Sequence, residues 1–147
     1  MMDSTDLVVI AHLVSSLLMV GMIWTVQIVH YPLMALVGPE RFAAYEAAHA
    51  PRMAAVVLLP WTVQGLTTTW LLVAPPAGVR ATLILATAVA ALVPVLVTVL
   101  ASIPAHTRLA AGFDAHVHAR LVRTNWIRTL AWTAHAVLAI AVLITAG

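Results

Sequence analysis

The side chains best suited to chemistry in this sequence are histidines. Five of the seven lie at or beyond the same predicted end of the apolar segments: His30, His49, His106, His116 and His118. Glu46 precedes His49 by three residues, so both lie on one face of a helix. Carboxylate-bridged metal sites in helical bundles use this E-x-x-H spacing. Imidazole can also act as a general acid or base near neutral pH.

We therefore predict a metal site formed by four side chains: His30, Glu46, His49 and His106. A second candidate group contains Asp114, His116 and His118, in which Asp114 and His118 are one helical turn apart. Imidazoles with a carboxylate suit iron, manganese or zinc, and a histidine-rich set also admits copper. The alternative is that these histidines bind no cofactor and only transfer protons or lie at a membrane interface.

Polar residues also repeat at helical spacing in the last apolar segment, where Asn125, Arg128, Trp132 and His135 follow steps of three, four and three. A guanidinium beside an amide could stabilise the negative charge of an enolate or phenolate in a low-dielectric site. Arg128 could instead be an interface anchor. We expect the catalytic residues to be His106, Asn125 and Arg128. We expect the substrate pocket to be lined by Gln27, Tyr31 and Trp132.

A different cofactor would use His12 and His135, which lie within apolar segments and could be the axial ligands of a b-type haem. Counted from the segment ends, the two histidines differ in depth by about 9 Å at 1.5 Å per residue. Axial ligands of one haem need similar depths, so the spacing disfavours this alternative.

The composition shows what must position these residues. Of 147 residues, 63% are hydrophobic and 8% are charged, whereas soluble domains have about 45–50% apolar and about 25% charged residues. The absence of cysteine excludes disulfides and thiolate ligands. A net charge of only +2 gives no argument for nucleic-acid binding. We therefore expect an integral membrane protein whose main partner is the lipid bilayer.

Four apolar segments are long enough to cross a bilayer, which takes about 20 helical residues. They span about residues 7–31, 53–73, 81–103 and 126–146. The fold class is therefore an all-α, integral membrane four-helix bundle, a single transmembrane domain over residues 1–147. Its two longer connections are expected to carry short interfacial helices, one between Pro39 and Pro51 and one that includes Phe113, Val117 and Leu121.

Arginine placement predicts the orientation. Both longer connections and their flanks hold six arginines, and the opposite side holds only Arg80. The positive-inside rule then puts the longer connections in the cytoplasm and both termini outside. A weak internal echo, His30-Tyr31-Pro32 against Pro104-Ala105-His106, leaves a two-plus-two duplication open.

Several short motifs carry a resemblance to a known family. They are Gln27, His30-Tyr31-Pro32, Gly38, Phe42, His49 and Pro60 in the first half, and Pro104-x-His106-x-x-Leu109, Gly112-x-Asp114 and Asn125-Trp126-x-Arg128-Thr129-x-x-Trp132 in the second. With these motifs, the chain resembles small four-span bacterial membrane proteins of the anthrone-oxygenase-like family (domain of unknown function 1772). The resemblance implies a place in the bacterial plasma membrane and the oxidation of aromatic or other hydrophobic small molecules. It extends to His49, His106, Asn125 and Arg128, whereas Glu46, His116 and His118 are added on chemical grounds alone.

Together these observations predict a membrane-embedded oxidoreductase, an oxygenase that acts on a hydrophobic or aromatic small molecule near the cytoplasmic end of the bundle. The alternative is a non-enzymatic bundle that binds haem or a partner membrane protein. A homo-oligomer is compatible with either hypothesis. Transport fits poorly, because the third apolar segment has almost no polar residues.

Overall fold

The computed structural model describes residues 3–146, and this part of the chain is helical with no β-strand. It contains four long helices: α1 (Ser4–Met34), α2 (Pro39–Val73), α3 (Ala81–Leu109) and α4 (Ala115–Ala146). All four are long and apolar enough to cross a membrane. The expected all-α architecture with four long apolar helices is confirmed.

The two longer connections differ from the expectation. The segment from Pro39 to Pro51 is the beginning of α2, and the segment around Val117 is the beginning of α4. Neither segment forms a separate helix. In the first segment, the alanine-rich sequence between the two prolines strongly favours continued helix. Pro51 and Pro60 both lie inside α2 without ending it. The 35 residues of α2 therefore extend over about 52 Å, well beyond the roughly 30 Å of a hydrocarbon core.

Two helices contain a π-helical segment just before a proline. In α1 the segment is Val26–His30 and the proline is Pro32; in α3 it is Thr98–Ser102 and the proline is Pro104. Proline donates no backbone hydrogen bond, and its ring displaces the carbonyl one turn earlier, so the wider π turn relieves the conflict. The segments precede their prolines by the same spacing, which strengthens the internal echo noted in the sequence.

The helices do not pack equally against one another. Extensive contacts join α1 to α2, α1 to α4 and α3 to α4, whereas α2 and α3 pack much less closely. One apolar core lies toward the π segments and includes Met19, Phe42 and Trp132. A smaller core at the opposite end includes Leu71 and Val142. The loose seam between α2 and α3 leaves room for cavities.

Candidate functional site

A cavity of about 590 Å³ lies among the four helices, next to the two π segments. Most of its lining is apolar, including Met19, Ile23 and Met53. A few polar side chains also reach it: Tyr31, Glu46, His49, Ser102, His106 and Arg128. A largely apolar cavity with a small number of convergent polar groups is typical of a small-molecule site.

The side chains of Glu46 and His106 lie within ion-pair distance of each other at this cavity. Glu46 Oε1 lies 2.6 Å from His106 Nδ1, and the Glu46 side chain is only 1% exposed. The other ring nitrogen, Nε2, lies 3.3 Å from the Tyr31 hydroxyl. With Nδ1 protonated, the ring donates to the carboxylate and leaves Nε2 as a base. Within the described residues, the second carboxylate oxygen of Glu46 is buried without a hydrogen-bond partner.

His30 and His49 lie beside this pair, so the structure brings together all four predicted metal ligands. The rings of His30 and His49 stack with centroids 4.3 Å apart, and His49 is 5.6 Å from His106. The Tyr45 hydroxyl is 3.4 Å from His30 Nε2. Because the His30 and His49 rings are stacked, their nitrogen lone pairs point in similar directions and do not converge on one metal ion. Over residues 3–146, no group of three or more His, Asp or Glu is placed to hold a metal ion.

The members of the second candidate group, Asp114, His116 and His118, have different local surroundings. Asp114 caps α4, accepting from the backbone N–H of His116 at 2.8 Å and of Val117 at 3.0 Å. The hydrogen bond from Val117 is the main reason that the pKa of Asp114 is below its ordinary value. The ring of His118 points elsewhere, with Nε2 2.8 Å from the Tyr31 carbonyl oxygen. His116 is exposed, so the three side chains do not converge on one site within the described residues.

Arg128 reaches the cavity from α4 and is held by neighbouring side chains. Its NH1 group donates to Asn125 Oδ1 at 2.9 Å and to Ser102 Oγ at 3.4 Å. The guanidinium lies 5.2 Å from the ring centroid of Trp132, a cation–π distance. Its Nε atom is buried, with no hydrogen-bond partner among the described residues. The Nε N–H group is therefore a donor that no described residue uses.

Asn125 and Gln27 lie behind Arg128. Asn125 is 0% exposed and donates from Nδ2 to Gln27 Oε1 at 2.8 Å. Gln27 in turn lies 3.5 Å from the Val122 carbonyl oxygen. Neither residue is part of the cavity lining. Gln27 was expected in the substrate pocket but does not line this cavity, and Asn125 connects it to Arg128, because the Asn125 amide donates to Gln27 and accepts from the guanidinium.

Tyr31 and Trp132, the other two residues expected in a substrate pocket, line this cavity. The indole N–H of Trp132 donates to Gln64 Oε1 at 3.2 Å, and its ring meets Trp61 edge to face at 5.7 Å. Trp61 was not predicted as a site residue, since a tryptophan near a span end is expected in an aromatic belt. Tyr45 was also missed, although it is adjacent to Glu46.

The two histidines considered as haem ligands form a separate cluster. His12 and His135 are both 0% exposed, and their rings meet edge to face at 4.9 Å. The predicted difference in depth was wrong, since the two rings are in contact, and the earlier start of α1 at Ser4 explains part of the error. His12 Nδ1 bonds Thr67 Oγ1 at 2.9 Å, and His135 bonds Ser16 Oγ at 3.0 Å. Rings in direct contact leave no space for a porphyrin between them.

Comparison with known proteins found no family model that matches the chain, no matching curated protein and no matching solved structure. The functional argument therefore rests on the geometry of the cavity.

Proposed function

We propose that the protein is a membrane-embedded oxygenase that removes a proton from a hydrophobic aromatic substrate and allows the resulting anion to react with O₂. The observation that carries this proposal is the meeting of a buried Glu46–His106 pair and the Arg128 guanidinium at one apolar cavity. A base and an anion-stabilising cation on one cavity are the two groups that such a proton abstraction needs.

His106 is the proposed base. Glu46 holds the Nδ1 side of the ring at 2.6 Å, which fixes the tautomer and stabilises the imidazolium that forms when Nε2 accepts a proton. The Tyr31 hydroxyl, 3.3 Å from Nε2, can move aside or relay the proton. General base catalysis of this kind contributes about 10²–10⁴-fold to rate.

Arg128 is the proposed anion-stabilising group. Proton loss next to a ring ketone places negative charge on the oxygen, and an apolar cavity strengthens the attraction of that oxygen to a guanidinium. The hydrogen bond from NH1 to Asn125 holds the guanidinium in place. Its unpartnered Nε atom supplies a donor that the resting protein does not use.

The oxidation balances without another reductant. For a substrate with a CH₂ group activated by a ring ketone, the base removes one proton and the enolate carbon forms a C–O bond to O₂, which is reduced to a peroxide. Loss of the second hydrogen with cleavage of the O–O bond gives a new carbonyl and one water. The substrate loses two hydrogens and gains one oxygen, and the other oxygen leaves as water.

The proposal places this site at the cytoplasmic end of the bundle, in a bacterial plasma membrane with both termini outside. In support, the helix ends nearest the cavity have several exposed arginines: Arg41, Arg52, Arg108, Arg120 and Arg123. Only Arg80 is at the other end. This asymmetry matches the positive-inside rule.

Anthrone, whose ring CH₂ group lies opposite a ketone, is a suitable test substrate. Purified protein in lipid nanodiscs should consume O₂ and form anthraquinone faster than empty nanodiscs do. We expect His106→Asn and Glu46→Gln to lower this rate by about 10²-fold or more. His116→Asn, which changes an exposed histidine, is the matched control and should retain full activity. An unchanged rate in both site variants would refute the proposed proton transfer.

A further inference from the structure

A second cavity, of about 390 Å³, lies between α2 and α3. Its lining comes only from these two helices, including Gly65 and Leu72 of α2 and Ala88 and Leu92 of α3. Trp61 lines both this cavity and the main one. We call the second cavity the α2–α3 groove. The shared tryptophan places the groove next to the main cavity, with the Trp61 side chain between the two.

The groove opens to the outside of the bundle. It follows the seam where α2 and α3 pack least closely. Several lining residues are largely exposed, among them Leu85 at 56%, Val89 at 62% and Leu92 at 51%. In the proposed bilayer, a lipid-soluble molecule could therefore enter the groove sideways from the hydrocarbon region.

Gln64 supplies a polar group on the wall of this apolar groove. Its side chain is 1% exposed, and its Oε1 atom accepts the hydrogen bond from Trp132. Its Nε2 atom has no hydrogen-bond partner within residues 3–146. A buried amide donor without a partner is costly, so this donor is suited to an acceptor on a bound molecule.

Gly65 gives the groove part of its width. A Cβ built on Gly65 meets no described atom within 4 Å. The position is therefore not a glycine forced by close packing against the neighbouring helix. The open space beside it belongs to the groove, and a larger side chain there would occupy that space.

We propose that the α2–α3 groove binds an apolar chain of the same substrate whose aromatic ring occupies the main cavity, and that this chain carries an oxygen acceptor for Gln64. This inference rests on the proposed function, because it extends the substrate from that cavity. From Trp61 to Leu72 the groove follows about 16 Å of helix, enough for a chain of about twelve carbon atoms. The substrate class is thus an aromatic ring with a long alkyl or isoprenoid chain that carries an ether, hydroxyl or carbonyl oxygen.

Binding of phenols to the protein in nanodiscs tests this inference. The probes are 4-methylphenol, which has only the ring, 4-dodecylphenol, which adds the chain, and 1-dodecanol, which has only the chain. Gly65→Leu fills the groove, and we expect it to weaken 4-dodecylphenol about tenfold while 4-methylphenol binds as before. Gly21→Leu is the matched control, since a Cβ at Gly21 also meets no described atom within 4 Å and Gly21 lines neither cavity.

Two outcomes would overturn the inference. One is that Gly65→Leu leaves the affinity for 4-dodecylphenol unchanged. The other is that 1-dodecanol competes as well as 4-dodecylphenol, which would make the groove a site for bilayer lipid. If 4-methylphenol itself fails to bind, or binds equally well to Arg128→Gln, the proposed function fails instead. The two failures are therefore distinguishable.

A set of chain-modified phenols tests the role of Gln64. Each member replaces one methylene of the dodecyl chain, beyond the third carbon from the ring, with an ether oxygen. At one position the oxygen should meet Gln64 Nε2 and improve binding about fivefold over its neighbours in the series. Equal affinity along the whole series would show that the Gln64 amide does not contact the chain.

Discussion

The protein contains a group of half-buried histidines at the main cavity and a fully buried histidine pair elsewhere, and the two differ in character. At the main cavity, His106 is bonded to a carboxylate, faces Tyr31 and lies near the stacked His30 and His49. At the other pair, His12 and His135 bond only to hydroxyl groups and a backbone carbonyl, and neither of the two cavities reaches them. A histidine buried in a helical bundle is thus equally suited to joining helices. What distinguishes the candidate site is a charged partner and an adjacent space.

Among the substitutions that test this comparison, Arg128→Lys is expected to have the largest effect on activity. Lysine keeps the positive charge, but its three donors lie on one nitrogen, so it cannot reproduce the planar guanidinium fork that bonds Ser102 and Asn125 through NH1 and keeps a donor on another nitrogen. We expect the rate of anthrone oxidation to fall by about 10²–10³-fold. Arg123→Lys, an exposed arginine of the same helix, is the control. A non-enzymatic bundle would tolerate both changes equally, and full activity in Arg128→Lys would favour that alternative.

A smaller loss is expected from Asn125→Ala, because Asn125 acts through Arg128. Removing the amide frees the guanidinium at one of its contacts, so we expect kcat to fall about tenfold while KM changes little. Steady-state kinetics separates the two parameters. If Asn125→Ala lowers only the stability of the protein and leaves kcat intact, Asn125 is part of the helix packing and does not position Arg128.

A substitution in the His12–His135 pair should have the opposite effect, lowering stability and leaving activity unchanged. His135→Ala removes the hydrogen bonds to Ser16 and to the Thr87 carbonyl, and we expect the free energy of unfolding to fall by about 1–3 kcal/mol. Activity per folded molecule should be unchanged. Unfolding by a denaturing detergent, followed by circular dichroism, measures the first quantity, and O₂ consumption measures the second. A large loss of activity without loss of stability would contradict the assigned structural role.

The smallest effect is expected at Asp114, whose side chain caps the start of α4. Its pKa is below the ordinary value of 3.8 because the folded protein stabilises the carboxylate. Its contribution is therefore fully present above the pKa of the unfolded chain and is lost as the pH falls through the lower pKa of the folded protein. Asp114→Ala should lower the thermal midpoint slightly at pH 7, and this decrease should become smaller as the pH falls below 3.8. An equal decrease at pH 7 and below pH 3.8 would contradict this explanation.

The sequence predicted the four helices because hydropathy over about 20 residues is a strong signal. It did not predict that α2 continues through Pro51, since a proline beside charged residues usually marks a boundary. For the site, the sequence placed Glu46, His49, His106 and Arg128 at one end of the bundle. It could not show the stacking of His30 on His49, which depends on side-chain rotation about helices whose relative packing no local pattern specifies.

The positions of Gln27, His12 and His135 show the same limit. A polar residue on an inward face is predictable from helical spacing, but whether it meets a cavity or another side chain depends on where neighbouring helices separate. That separation occurs between α2 and α3, and no single segment of the sequence encodes it. Helical spacing therefore predicted which polar side chains face inward, but it did not predict whether each one lines a cavity or bonds a neighbouring helix.

The π segment of α3 makes the face of His106 depend on chain length and not only on residue type. Each residue turns a regular α-helix by about 100°, but the wider π turn uses more residues per turn, so the five residues of Thr98–Ser102 turn α3 about as far as four would in a regular α-helix. Rewinding this segment to regular α-helix at unchanged length would therefore turn His106 away from Glu46, although every side chain of the site would still be present in the sequence. A gap of one position in a related chain at this segment would instead keep His106 on its present face, because the shortened segment would be regular α-helix.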